Sequence, residues 1–219
     1  MSWMSGRHRN VIQVMVGLLL AGELALASAI AGSTAAMPRG PLTIAVVGDQ
    51  NTAGVKNREV WPTLMAARTG WSVSNFAQPE AGFAADGTGG QAFTYQGDRA
   101  QANRPQLILL VTGTADTSVP EMEAVTVGAV DAINKIIRGG KQVAVVGPMW
   151  YETPVPDSVW RVNQAVRRAA DEAVVPFFDA LDPPLLTKNL MHSDLSGPSD
   201  EGQFIIADKI AAWLTQVVR

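Results

Sequence analysis

Few side chains in this sequence are equipped for chemistry, and most of them follow a short apolar run and a glycine. His8 and His192 are the only imidazoles, and there is no cysteine. A thiol nucleophile, a disulfide scaffold and a cysteine-ligated zinc or iron–sulfur site are therefore excluded. His192 stands two residues before Asp194, which makes two metal ligands on one loop. A catalytic zinc needs about three protein ligands, and no H-E-x-x-H helix supplies the rest. The other candidates are Asp49, Gln50 and Thr52 after Gly48, Thr114 and Asp116 after Gly113, and Trp150 with Tyr151 after Gly147. A threonine hydroxyl needs a neighbouring base to act as a nucleophile, and His192 is the only imidazole outside the N-terminal segment to serve as one.

Common glycine-rich and nucleophile motifs do not fit. Gly48 to Gly54 is followed by Val55 and has one residue too many for the phosphate loop G-x-x-x-x-G-K-[ST]. G-x-G-x-x-G is absent there, and G-x-S-x-G occurs nowhere. With 17 basic and 20 acidic residues the net charge is -3, against the basic field that a nucleic acid partner requires.

The chain has 219 residues, a length suited to one domain and a tail. Arg7, His8 and Arg9 precede an apolar stretch from Val11 to Ala31, followed by small residues and Pro38. This order predicts a secretory signal, with small-x-small sites at Ala27-Ser28-Ala29 and Ala29-Ile30-Ala31. Glu23 limits the uncharged run to Val11–Gly22, which suits a signal core of about 7 to 15 residues better than a span of about 20. An uncleaved N-terminal anchor is the alternative, and it would bring membrane contact. Residues 1–37 are thus expected to be signal or anchor, and residues 38–219 the domain. The 47% hydrophobic content is raised by that first segment.

The elements that must position the candidates follow from periodicity. Apolar runs at Leu42–Val47, Val73–Phe76, Leu107–Val111 and Val143–Val146, and a weaker one at Val174–Phe178, read as strands. Helical patterns cover Val60–Arg68, Met122–Arg138, Ser158–Ala173 and Glu201–Val218, and Gly139-Gly140 stops the second. The Gly-rich stretch from Ala81 to Gly90 is expected to be a loop. Continuous apolar strands alternating with amphipathic helices predict a three-layer α/β/α domain with a five-stranded parallel sheet. Ligands of such sheets bind beyond the carboxyl ends of the strands, where the candidate residues lie. Trp61 and Trp160, inside helical patterns, are expected in the core.

Taken in order, the loop segments resemble the SGNH (GDSL-type) hydrolase family, and in particular its exported actinobacterial members. Val47-Gly48-Asp49-Gln50 resembles the G-D-S motif after the first strand. Asn75-Phe76-Ala77 with Ala81-Gly82-Phe83 resembles the second motif. Gly113-Thr114-Ala115-Asp116 lies where the family has G-x-N-D, and Asp194 to Ser199 with Gly202 lies where it has D-x-x-H-P-[NS]-x-x-G. The resemblance covers nearly all of residues 42–217 and implies a flavodoxin-like fold.

By the same resemblance, acyl transfer would need a serine at Gln50, an oxyanion-binding asparagine at Ala115 and a histidine at Gly197. Gly82 would supply an oxyanion amide, and Asp194 would orient the base. The catalytic motifs are thus degenerate, and no competent catalytic set is expected. Losing the nucleophile or the base of such a triad removes about six decades of rate, and an oxyanion donor about two to three. The resulting expectation is an exported pseudoenzyme that binds a cell-envelope glycan or acyl ligand, or a protein partner. Its pocket would be formed by Asp49, Gln50, Gly82, Thr114, Asp116, Trp150, His192 and Asp194, with no metal and no cofactor. One rival is an esterase or O-acetyl transferase with a rearranged site, using Thr52 or Thr114 as nucleophile and His192 as base. Another is a structural subunit of a membrane complex that keeps the segment from Val11 to Ala31.

Overall fold

The computed structural model describes residues 40–218, so the expected signal or anchor lies outside the described residues. Five strands, β1 (Thr43–Val47), β2 (Ser72–Asn75), β3 (Leu107–Val111), β4 (Gln142–Val146) and β5 (Phe177–Phe178), pair in the order β2-β1-β3-β4-β5. Every pairing is parallel, with Val46 opposite Asn75 and Leu109, and Leu110 opposite Val145. The helices are α1 (Gln50–Ala53), α2 (Trp61–Thr69), α3 (Phe93–Ala102), α4 (Met122–Arg138), α5 (Asp157–Glu172) and α6 (Asp200–Val217).

Alternation along the strands assigns each face its layer. Ala45, Val47, Ile108, Leu110, Val143 and Val145 pack with Phe93, Ala129, Ile133 and Val166 of α3, α4 and α5. Ile44, Val46, Leu109, Val111 and Ala144 pack with Trp61, Met65, Ile206, Ile210 and Leu214 of α2 and α6. Burying each large aliphatic side chain contributes about 1.5–3 kcal/mol. β3 is buried on both faces at every position, hence its unbroken Leu-Ile-Leu-Leu-Val run.

Three expectations need correction. β5 is only two residues long, because α5 runs to Glu172 and Val174 turns outward with φ 55° and 89% exposure. Trp160 is only half-buried, whereas Trp61 is fully enclosed. α3 occupies a stretch with no helix expected; it buries Phe93, Gln96, Gly97 and Ala100 on one face.

After β1 the chain runs to β2 on one side, whereas β3 lies on the other. The loops after β1 and β3 therefore diverge, and a crevice opens at this switch in strand order.

Candidate functional site

The crevice floor is built around the turn from β1 into α1. Asp49 caps α1: one carboxylate oxygen accepts from Asn51 N–H at 2.9 Å, and the other accepts from Thr114 N–H at 3.1 Å in the loop after β3. One buried carboxylate thus joins the two diverging loops. Residue 113 must be glycine, since a Cβ there would collide with the Asp49 carboxylate. Burial pushes the Asp49 carboxyl up from 3.8 to about 6, although the Thr114 and Asn51 amides pull it down; the Asp116 charge adds a smaller upward push.

Two buried glutamines hold this turn from opposite layers. Gln96 of α3 accepts from Gly48 N–H at 3.0 Å and donates to the Gln91 carbonyl at 3.0 Å. Gln203 of α6 accepts from Trp61 N–H at 2.8 Å and donates to the Asn51 carbonyl at 3.0 Å.

Gln50 is the first residue of α1, at the position where the resemblance expects a serine. Its side-chain carbonyl Oε1 accepts from Glu80 N–H at 3.0 Å, and Nε2 donates to Thr114 Oγ1 at 3.2 Å. The carboxamide is therefore held at both ends. A cavity of about 150 Å³ opens beside it, lined by Gln50, Asn51 and Thr114, by Met149, Trp150 and Tyr151, and by Gly197 among late-loop residues. The Trp150 and Tyr151 rings stack with centroids 5.0 Å apart.

The expected pocket set is only partly brought together. Gln50, Thr114 and Trp150 line the cavity, and Asp49 lies beneath it. Gly82 does not offer its amide to the site, because Gly82 N–H donates to the Ala85 carbonyl at 2.9 Å. Asp116 is turned away: its carboxylate accepts from Phe83, Ala84 and Ala85 N–H at 2.7–3.0 Å. It lies so close to Gly82 that any Cβ there would collide with it. Asp116 is thus a buried anchor for the glycine-rich loop. Ala115 opens a 3-10 turn, Ala115–Ser118, and is not part of the lining.

The late loop departs from expectation as well. Asp194 faces outward, with Lys56 Nζ at 2.5 Å and Ser196 Oγ at 2.6 Å. These hydrogen bonds, Lys56 first, hold its carboxyl well below the usual range. The His192 ring meets Asn57 Nδ2 at 3.4 Å, its one side-chain partner among the described residues. Neither threonine of the rearranged site is paired with it. Thr52 is buried with its hydroxyl oxygen accepting from Trp61 Nε1 at 3.3 Å, and Thr114 Oγ1 accepts from Gln50. Of the late motif, Leu195, Ser196 and Gly197 line the cavity, and Asp194 does not. Among the described residues no group of three or more acidic or histidine side chains is placed to hold a metal.

Sequence reasoning missed Glu80, Asn51, Gln96 and Gln203. Glu80 has φ 60°, a conformation that glycine usually marks in a sequence. The two glutamines sit on helical faces where polar residues are ordinarily solvated.

The fold and the crevice together define an α/β protein with its site at the carboxyl ends of a parallel sheet. Residues 46–203 match the GDSL-like lipase/acylhydrolase family, and the chain belongs to that family. No curated protein matches it in sequence. Similar solved structures include a lipolytic protein of the G-D-S-L family from Desulfitobacterium hafniense, with TM-score 0.65 and 16% identity, covering 77% of this chain and 97% of that one. A psychrotrophic esterase from a Pseudoalteromonas species has TM-score 0.62 and 15% identity, covering 80% and 97%. An acetylxylan esterase from Geobacillus stearothermophilus has TM-score 0.62 and 15% identity, covering 84% and 97%. At these identities the likeness is one of fold.

Proposed function

We propose that the chain is an exported family member that has lost ester hydrolysis and acts by binding a cell-envelope ligand, either a glycan or acyl compound, or a protein partner. The observation that carries this reading is the seat of Gln50. Its side-chain carbonyl already occupies the Glu80 N–H, the amide that reaches the side chain of residue 50. The oxyanion positions that the resemblance implies add nothing in its place: Gly82 N–H is spent on the Ala85 carbonyl and Ala115 carries no donor side chain, and a preorganised oxyanion donor supplies about 2.7–4 kcal/mol in acyl transfer. Gln50 also has no ionisable hydroxyl.

The base position supports the same reading. Gly197 lines the cavity, and a Cβ there would meet Val55 at an ordinary 3.5 Å. Space therefore does not exclude a side chain at 197, and none capable of taking a proton is present. Some of the structurally similar proteins are esterases, but this chain lacks the groups at 50 and 197 through which the family's hydrolysis would run.

A fluorophosphonate probe is expected to leave the purified chain unlabelled, and 4-nitrophenyl acetate is expected to hydrolyse at the background rate. The same holds for Gln50→Ser, because a serine there has no base at 197. Covalent labelling of the native chain, abolished by His192→Ala or Thr114→Ala, would overturn the reading in favour of a rearranged hydrolase. For export, mass spectrometry of the mature protein is expected to find a new N-terminus after Ala29 or Ala31; an intact Met1 or Ser2 end would contradict cleavage.

A further inference from the structure

At the end of the sheet opposite the cavity, two neighbouring helices stop in the same way with different residues. In this termination the residue two positions past the last helical one is left-handed, and it is usually glycine. After α4 it is Gly140, φ 72°, with Gly140 N–H donating to the Ile137 carbonyl at 2.9 Å and Lys141 N–H to the Ile136 carbonyl at 3.3 Å. After α5 it is Val174, whose N–H donates to the Asp171 carbonyl at 3.1 Å while Val175 N–H donates to the Ala170 carbonyl at 3.0 Å. A β-branched side chain is disfavoured at φ 55°, and at 89% exposure its methyl groups also face water. Glycine would remove both penalties. A strained residue that gains nothing inside its own fold points to a role outside it.

Val174 stands on the rim of a groove of about 340 Å³ at the amino ends of β3 and β4. Ile137, Lys141 and Val143 line it on the side of α4, Val174 and Pro176 on the side of α5, and Val217 of α6 also reaches it. The groove has shoulders of opposite sign. Arg138 and Lys141 stand on the α4 side, and exposed Asp171 and Glu172 end α5 on the other. None of these four charges is in an ion pair among the described residues. Arg168, one turn earlier on α5, leaves that shoulder with a net negative charge.

An apolar knob beside an apolar groove, flanked by a positive and a negative shoulder, is complementary to itself. With a twofold axis along the groove, Val174 of each copy enters the groove of the other, and each α4 shoulder faces an α5 shoulder. From this self-complementarity we infer that the amino-end face of the sheet is an interface between two copies of this chain. One groove filled by one valine from each side is a smaller contact than the about 800 Å² per partner of a standard stable complex, so the association is weak, with a dissociation constant of about 10–100 μM. The Gln50 cavity lies at the other end of the strands, so both cavities of the pair stay open and point away from each other.

Sedimentation equilibrium of the protein, as its cell processes it, is expected to show monomer and dimer exchanging in that concentration range. Val174→Gly is expected to raise the dissociation constant about tenfold or more without lowering the urea midpoint of the dilute monomer, because glycine suits the left-handed turn. A lower midpoint with unchanged dimerisation would make Val174 a packing residue of its own domain and refute the inference. Reversing the α4 shoulder (Arg138→Glu with Lys141→Glu) or the α5 shoulder (Asp171→Lys with Glu172→Lys) is expected to weaken the dimer about tenfold, and combining both reversals to restore it to within about threefold. Such restoration cannot come from association through another part of the chain. Should a reversal unfold the protein, Val174→Gly carries the test alone. A native protein still monomeric at about 500 μM, or a folded combined variant as weak as either reversal, would overturn the interface. So would a monomer that sediments with vesicles of phosphatidylglycerol and phosphatidylcholine and is released by Val174→Gly, since a bilayer would then be the occupant of the groove.

Discussion

Asp49 is a buried carboxyl whose surroundings work against its charge. Its folded carboxyl titrates near 6, above the ordinary 3.8, so folding favours its protonated form. The stability it contributes is full below about pH 3.8 and is lost as the pH rises through about 6; two pH units correspond to about 3 kcal/mol. Asp194 and Asp200 behave oppositely. Hydrogen bonds, from Lys56 first for Asp194 and from the Arg58 amide first for Asp200, lower their carboxyls. Their contribution is present above 3.8 and is lost as the pH falls, outside the Asp49 window. The urea midpoint is expected to fall between about pH 4 and pH 6.5 in the native chain and to lose most of that slope in Asp49→Asn. A slope of equal size in both proteins would rule out Asp49 as its source. At this scale the sequence named the right neighbourhood and several wrong atoms. Gln50 and Gly197 line the cavity, and Asp49 joins the loops after β1 and β3. Gly82, Asp116 and Asp194 are diverted by partners that no spacing rule reveals: the Ala85 carbonyl, three loop amides and Lys56.

At the scale of elements, long apolar runs are legible because burial on both faces leaves no polar position to interrupt them, as in β3. α3 escaped notice because its inner face is Phe93, Gln96, Gly97 and Ala100, a helical spacing in which a buried glutamine and a glycine conceal the stripe. Glutamine is tolerated there because both ends of its amide are satisfied. Gln203 on α6 follows the same rule, and the rule has a measurable cost when broken. Gln203→Leu leaves the Trp61 N–H and the Asn51 carbonyl without these partners, each worth about 1–3 kcal/mol when buried and unpaired. Denaturant unfolding is expected to show a loss of about 2–4 kcal/mol with an unchanged m value. A loss below about 0.5 kcal/mol would mean that other groups or water replace the glutamine.

For the whole molecule, the class of fold was readable because strand runs and helices alternate at regular intervals, and a parallel sheet with two covering layers is what such alternation builds. The length of β5 was not readable, since Val174 extends the apolar run in sequence while its backbone turns away from the sheet. The two clamping glutamines also bear on how the molecule opens. Gln96 comes from the layer on one face of the sheet and Gln203 from the layer on the other, and both close on the turn that carries Gln50. The recognition floor is thus common property of two packing units, and partial unfolding of either one would release it. In hydrogen-exchange terms, the amides of Gly48 and Trp61 are expected to share one protection factor within about tenfold. A larger gap would show that the two halves of the domain breathe separately, and that ligand entry and exit are governed by whichever half opens first.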